Sequence, residues 1–166
     1  MFNSKFAFNR PCALAAALTV AASLTSFTHP ANAQEPHHTV VTPGEMEFKQ
    51  GPPSLPEGAQ IAVLYGNPAE EGLFALRLKF PAGYTVPPHT HPNDEIVTVI
   101  SGKLGLAAGD VLDQSAAPLL DAGSLVVLPS GMAHFAWAEE ETVIQLNSMG
   151  PLKITYLQGG DDPRMN

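Results

Sequence analysis

From Ala59 onward, apolar residues recur at alternate positions in short runs broken by Gly, Pro, Asn, Asp or Ser. The runs are Ile61–Gly66, Leu73–Phe80, Tyr84–His91, Glu95–Gly102, Lys103–Gly109, Ser124–Pro129, His134–Ala138, Thr142–Ser148 and Lys153–Leu157. A period of two is that of a strand with one face buried, and no long helical period intervenes. Many short strands at close spacing predict an all-β sandwich or barrel over residues 59–157. The flanks lose the pattern. Residues 34–58, "QEPHHTVVTPGEMEFKQGPPSLPEG", are rich in Pro and Gly and read as an arm laid over the domain, with Thr39–Val41 as an edge strand. Residues 158–166 read as a polar tail.

The N-terminus follows a different rule. Lys5 and Arg10 precede an almost wholly small or apolar run, Ala13–Leu24, and "ANA" precedes Gln34. That order is a secretory signal, with cleavage after Ala33 and a periplasmic or secreted product. The run falls short of the ~20 residues of a membrane span, so none is expected. Removing residues 1–33 takes the only cysteine, leaving no disulfide to brace the fold. It also removes two of eight basic residues and none of sixteen acids, so the mature charge is 6 − 16 = −10. An acidic chain without a basic patch is a poor partner for nucleic acid.

Candidate chemistry concentrates in "GYTVPPHTHPNDEIVTVISG", residues 83–102. In a helix, residues i and i+2 point roughly 200° apart, so His89 and His91 would diverge. In a strand they share a face. Pro87, Pro88 and Pro92 exclude the helix. "PND" (residues 92–94) is a turn sequence, and the β-branched run after it is expected to return as a hairpin partner, bringing Glu95 beside both imidazoles. "GSLVVLPSGMAHFAWA" (residues 123–138) offers His134 as a fourth ligand.

These two stretches resemble the motifs of the cupin superfamily, G(X)5HXH(X)3,4E(X)6G and G(X)5PXG(X)2H(X)3N. Gly83, His89, His91, Glu95 and Gly102 fill every fixed position of the first, and Gly123, Pro129, Gly131 and His134 match the second. Ala138 stands where the second motif ends in Asn. The resemblance implies a small cupin jelly-roll barrel holding one divalent transition metal ion through His89, His91, Glu95 and His134. Mixed nitrogen and oxygen ligation suits Fe, Mn, Ni, Zn or Cu. Six-coordination leaves two positions for water, O2 or a chelating ligand. Three neutral imidazoles and one carboxylate leave the centre at +1, which favours an anionic or enolisable molecule.

Other polar residues carry weaker signals. His37 and His38 read as solvated residues of the arm. Arg77 alternates with apolar neighbours and reads as part of an outward polar face or, alternatively, as a grip on a substrate carboxylate. Gln145 and Asn147 share strand parity within an apolar run and are the better candidates for a substrate pocket. With His134 inward, Ala136 and Ala138 also point inward and leave open volume, while Phe135 and Trp137 point outward. Two outward aromatics need cover from the arm or from a second subunit, and a homodimer is the favoured form. The functional expectation is an exported metal-dependent enzyme acting on a small oxygenated or anionic molecule. Its reaction would be dioxygenase-, decarboxylase-, lyase- or isomerase-like, with no general acid or base identified. The alternative is a non-catalytic cupin that binds or senses a small molecule.

Overall fold

The computed structural model describes residues 38–165, and the proposed signal segment and His37 lie outside them. Eleven strands run in order: β1 (Lys49–Gln50), β2 (Gln60–Tyr65), β3 (Gly72–Phe80), β4 (Thr85–Thr90), β5 (Glu95–Ser101), β6 (Lys103–Ala108), β7 (Leu120–Asp121), β8 (Leu125–Leu128), β9 (His134–Ala138), β10 (Thr142–Gly150) and β11 (Thr155–Tyr156). They form two antiparallel sheets, one ordered β1-β2-β3-β10-β5-β8 and the other β11-β4-β9-β6-β7. This is the jelly-roll arrangement, although the two sheets do not close into one continuous barrel. Among the described residues, no helix is long and apolar enough to cross a membrane.

Period-two patterning explains the core. On β3 the residues Phe74, Leu76, Leu78 and Phe80 are buried, and on β10 Ile144 and Leu146 are buried opposite them. Val97 and Val99 continue this inner face on β5, while Val86, Leu104, Ala136 and Ala138 form the facing layer of the second sheet. Gly102 makes the β5–β6 turn at φ +76, where an added Cβ would meet the Glu141 carbonyl.

Four expectations change at this level. Thr39–Val41 is an exposed, irregular segment, and the arm's edge strand is instead Lys49–Gln50. The arm lacks an alternating apolar face at residues 39–41, so nothing holds that segment to a sheet. β4 and β5 are not a hairpin. β4 pairs with β9 and β11, whereas β5 pairs with β10 and β8, so residues 91–94 cross from one sheet to the other. The C-terminal residues are anchored: the Arg164 guanidinium donates to Asp162 at 2.7 Å and to the Ile154 carbonyl at 3.2 Å.

Phe135 and Trp137 are the fourth case. They do point away from the β9 face that bears His134, yet they are 1% and 6% exposed. Their rings stack 5.9 Å apart under Ala107, Ala117 and Leu119, the last two supplied by the loop between β6 and β7. Trp137 lies flat over Gly105, where any Cβ would enter the indole. The chain's own loop therefore provides the cover expected from the arm or a second subunit, and these rings give no reason to expect a dimer.

Candidate metal centre

His89 and His134 are direct cross-strand partners on the β4–β9 ladder. The ladder slips between Val86 and His89, at Pro87 and Pro88, because neither proline has an N–H to donate. It resumes at the two histidines. Their rings lie 4.2 Å apart, and His91, one residue past β4, sets its ring edge-on to His89 at 4.8 Å. One nitrogen from each of the three imidazoles lies within 4.8 Å of the others.

Backbone carbonyls fix which nitrogen is free. His89 Nδ1 donates to the Pro87 carbonyl at 2.7 Å, His91 Nδ1 to that of Lys153 at 2.6 Å and His134 Nδ1 to that of Met132 at 2.9 Å. A carbonyl can only accept, so each Nδ1 carries the proton and each Nε2 keeps its lone pair. Two of these contacts are local, from residue i to residue i−2. The third ties His91 to the segment before β11. Anchoring of this kind orients imidazoles for a metal.

Glu95 arrives from the opposite sheet as the first residue of β5. Its Oε1 lies 3.5 Å from His91 Nε2 and its Oε2 lies 3.9 Å from His134 Nε2. It therefore stands beside two of the three imidazoles. Oε1 is buried without a hydrogen-bond partner among the described residues, an arrangement that is costly unless a cation completes it. Burial pushes the Glu95 carboxyl up to about 8. Burial, reinforced by His134, pushes His89 down to about 3, burial takes His91 to about 4, and His134 is lowered for the same reason. Without a cation, the low-dielectric site favours the neutral form of all four groups. Three free imidazole nitrogens and an unsatisfied carboxylate oxygen fit a divalent transition metal.

The sheet-to-sheet crossover that carries His91 and Glu95 is pinned at several points. The Asp94 carboxylate accepts from Ser130 N–H at 2.7 Å, and Ser130 Oγ donates to the Pro92 carbonyl at 2.6 Å. Ser148 Oγ donates to the Asp94 carbonyl at 2.6 Å, and Asn93 Nδ2 to that of Met149 at 2.8 Å. Asn93 and Asp94, read from the sequence as turn residues, thus also tie the crossover down, together with Ser130 and Ser148. Their one sequence signal was polarity within otherwise apolar or turn segments.

Above the imidazoles lies a cavity of ≈ 290 Å³, lined by inward residues of both sheets. A strap, residues 52–56, forms part of its wall through Pro52, Ser54 and Leu55. Two phenols hold that strap in place. Tyr84 donates to the Pro56 carbonyl at 2.7 Å, and Tyr156 donates to the Ser54 carbonyl at 2.8 Å. Burial raises both phenol pKa values, that of Tyr156 to about 12, so both remain donors at neutral pH.

The expected pocket residues lie elsewhere. Arg77, Gln145 and Asn147 are absent from the cavity lining and form a chain on the outer face of the six-stranded sheet. Arg77 Nε donates to Gln145 Oε1 at 3.4 Å, and Gln145 Nε2 donates to Asn147 Oδ1 at 3.2 Å. Their shared parity was legible, but Ile144 and Leu146 take the inner face and turn the intervening amides outward. His38 is an exposed residue far along the chain from the cluster.

Comparison with known proteins agrees with this architecture. A family described as "Domain of unknown function (DUF4437)" matches residues 16–155. Germin-like protein 9-2 of Oryza sativa subsp. japonica is 31% identical over 124 residues, covering 66% of this chain and 58% of that protein. The chain spans about half the length of the curated relatives it matches. The structure of KdgF from Halomonas sp. superposes with a TM-score of 0.52 at 26% identity, over 68% of this chain and 94% of that one. An RmlC-like cupin from Shewanella frigidimarina superposes with a TM-score of 0.54 at 18% identity, over 69% and 91%. The fold is that of a cupin.

Proposed function

Since this chain belongs to the DUF4437 family and has a cupin fold, we propose that it is a metal-dependent cupin enzyme acting on a small oxygenated molecule. One observation carries this reading: three carbonyl-oriented imidazoles and the unsatisfied Glu95 Oε1 meet at the floor of a cavity large enough for a small molecule. A purely structural metal site closes its shell with protein ligands, whereas a site that opens onto a cavity leaves room for a reactant.

His89, His91 and His134 would hold the ion through Nε2, with Glu95 as the fourth ligand. Once bound, a divalent transition ion supplies a Lewis acid that polarises a ligand oxygen. The protein's part is to hold those ligands rigidly, exclude bulk water with the strap and orient the reactant against apolar walls. Among the described residues lining the cavity, His89, His91, His134 and Glu95 are the only titratable groups. Any proton the reaction needs to move must therefore pass through Glu95 or a bound water. This scarcity is also what favours the second reading, a cupin that binds or senses a ligand without turnover.

Metal analysis of protein from its native compartment, followed by a screen of small oxygenated compounds under air and under nitrogen, separates the two readings. Oxygen-dependent or oxygen-independent turnover supports the enzyme. Tight binding of a compound without turnover in either atmosphere supports the binder. As a further proposal, the segment ending at Ala33 is an export signal. Mass spectrometry of the exported product should find Gln34 at its N-terminus, and a soluble product retaining Met1 would refute this.

A further inference from the structure

The cavity wall carries more information than its volume. Among the described residues, Ser54 is the only polar residue lining it apart from the three histidines and Glu95, and no lysine or arginine does. The rest of the lining consists of aliphatic side chains, proline and alanine, together with Phe80. Charge is the second constraint. A divalent ion with one carboxylate and three neutral imidazoles carries +1. A monoanionic ligand brings the buried assembly to zero. A dianion such as oxalate would leave −1 in an apolar enclosure with no cationic side chain to compensate, an arrangement that low-dielectric interiors penalise heavily. Size is the third. At ≈ 290 Å³ the cavity lies at the small end of the range for ligand pockets, which suits a small molecule.

We propose that the ligand of this site is a small, predominantly apolar molecule with two neighbouring oxygens, of which one is weakly acidic. An enolisable ketone or an aromatic hydroxyketone has this chemistry. The molecule would lose a single proton to solvent on binding and would chelate through the oxygen pair while its hydrocarbon body fills the cavity. This deepens the metal reading above and rests on it. Dicarboxylates and sugar acids, whose charge or hydroxyl groups find no partners on these walls, are excluded as good ligands.

The test uses three probes on the full chain: tropolone, an apolar monoanionic chelator; oxalate, a dianionic chelator; and indole, apolar and non-chelating. Cobalt(II) replaces the native ion under nitrogen, so that its d–d absorption reports coordination without turnover. Indole should raise the melting temperature of metal-free protein. Tropolone should shift the cobalt spectrum and bind at least tenfold more tightly than oxalate. Ala136→Phe fills the cavity from β9 and Leu152→Trp fills it from the rim. At least one should fold and bind cobalt normally, yet lose indole and the preference for tropolone. Tighter binding of oxalate overturns the proposal, as does indole binding that both filled variants retain. Failure of cobalt to bind while indole still binds overturns the metal reading and the proposal with it. That outcome is recognised by the missing d–d band.

Discussion

β9 has two faces, and they are built to opposite specifications. Outward, Phe135 and Trp137 stack on each other, with Trp137 lying against Gly105 and with the loop between β6 and β7 closing over the pair. Inward, His134 and Ala136 border open volume. All five residues of the strand are buried, so burial alone does not distinguish the faces. Packing does. One face is filled to contact and stabilises the sheet. The other keeps its side chains small and leaves space. A single strand thus separates a tightly filled layer of the protein from the layer that borders the cavity.

The largest effect should come from disturbing the filled face. Trp137→Ala removes a ring with no room to rearrange and should cost about 3–5 kcal/mol. Gly105→Val, which drives a side chain into the indole, should be at least as damaging. Ala136→Leu adds bulk on the open face and should cost less than the about 1–3 kcal/mol typical of overpacking. Urea unfolding of the three variants makes the comparison, and equal costs at positions 136 and 137 would erase the distinction between the faces.

Next in size is the metal-linked stability. Metal at a hundredfold excess over its dissociation constant should stabilise the wild type by about 2.7 kcal/mol. His89→Ala, His91→Ala and His134→Ala should each lose most of that gain and most of the bound metal, while His38→Ala should keep both. Melting temperatures with and without added metal, alongside metal content, decide the matter. If His38 mattered more than His134, the site would be misplaced.

A smaller effect should appear with pH. In metal-free protein the Glu95 carboxyl is raised from 4.5 to about 8, so at pH 7 it is mostly protonated and must lose that proton when a metal binds. The histidines, held down at about 3 for His89 and about 4 for His91, are already neutral and release none. Metal capture at pH 7 should therefore release close to one proton, falling toward none above pH 8. Stability follows the same groups. A raised carboxyl pKa gives stability that is present below 4.5 and lost as pH rises through about 8. The lowered histidines give stability that is present above 6.5 and lost as pH falls toward their folded values. The unfolded chain's histidines are still half-protonated at pH 6.5 and offset Glu95 there. Metal-free protein should therefore weaken with rising pH only from about pH 7 to 8, by less than about 1.4 kcal/mol per pH unit. Glu95→Gln should remove that weakening and abolish proton release. Calorimetry in two buffers of different ionisation enthalpy, with urea melts at both ends of the window, would expose the opposite trend if it exists.

The smallest change belongs to the outer face of the six-stranded sheet. Arg77→Ala and Gln145→Ala should stay within about 0.5 kcal/mol of wild type in stability and leave metal binding unchanged. A selective loss of ligand affinity in either variant would bring these residues back into the site.

These contrasts also mark what the sequence could reveal. Alternation located the long strands, because a face that meets a core must be apolar at every second residue. Strand parity made His89 and His91 legible as a convergent pair. Glu95 and His134 approach them through the crossover and the β4–β9 ladder rather than the expected hairpin, and only the two motifs made all four legible together. The partner of β5 was not. A hairpin and a crossover between sheets leave the same local signature, and only long-range pairing with β10 tells them apart. The cover over Trp137 was hidden as well, since residues 109–119 show no period to announce that they fold back. The carbonyls that orient the imidazoles have no side-chain signature at all.

The strap has a consequence for how this cavity can change over time. It is fastened by phenol hydroxyls to the carbonyls of Ser54 and Pro56, groups that every amino acid supplies. Substitutions at positions 52–55 can therefore recontour one wall while the fastening and the ligand-bearing strands stay as they are. Selectivity is separable from scaffold here. A change of side chain at Ser54 or Leu55 alters the cavity wall and leaves both phenol–carbonyl hydrogen bonds available.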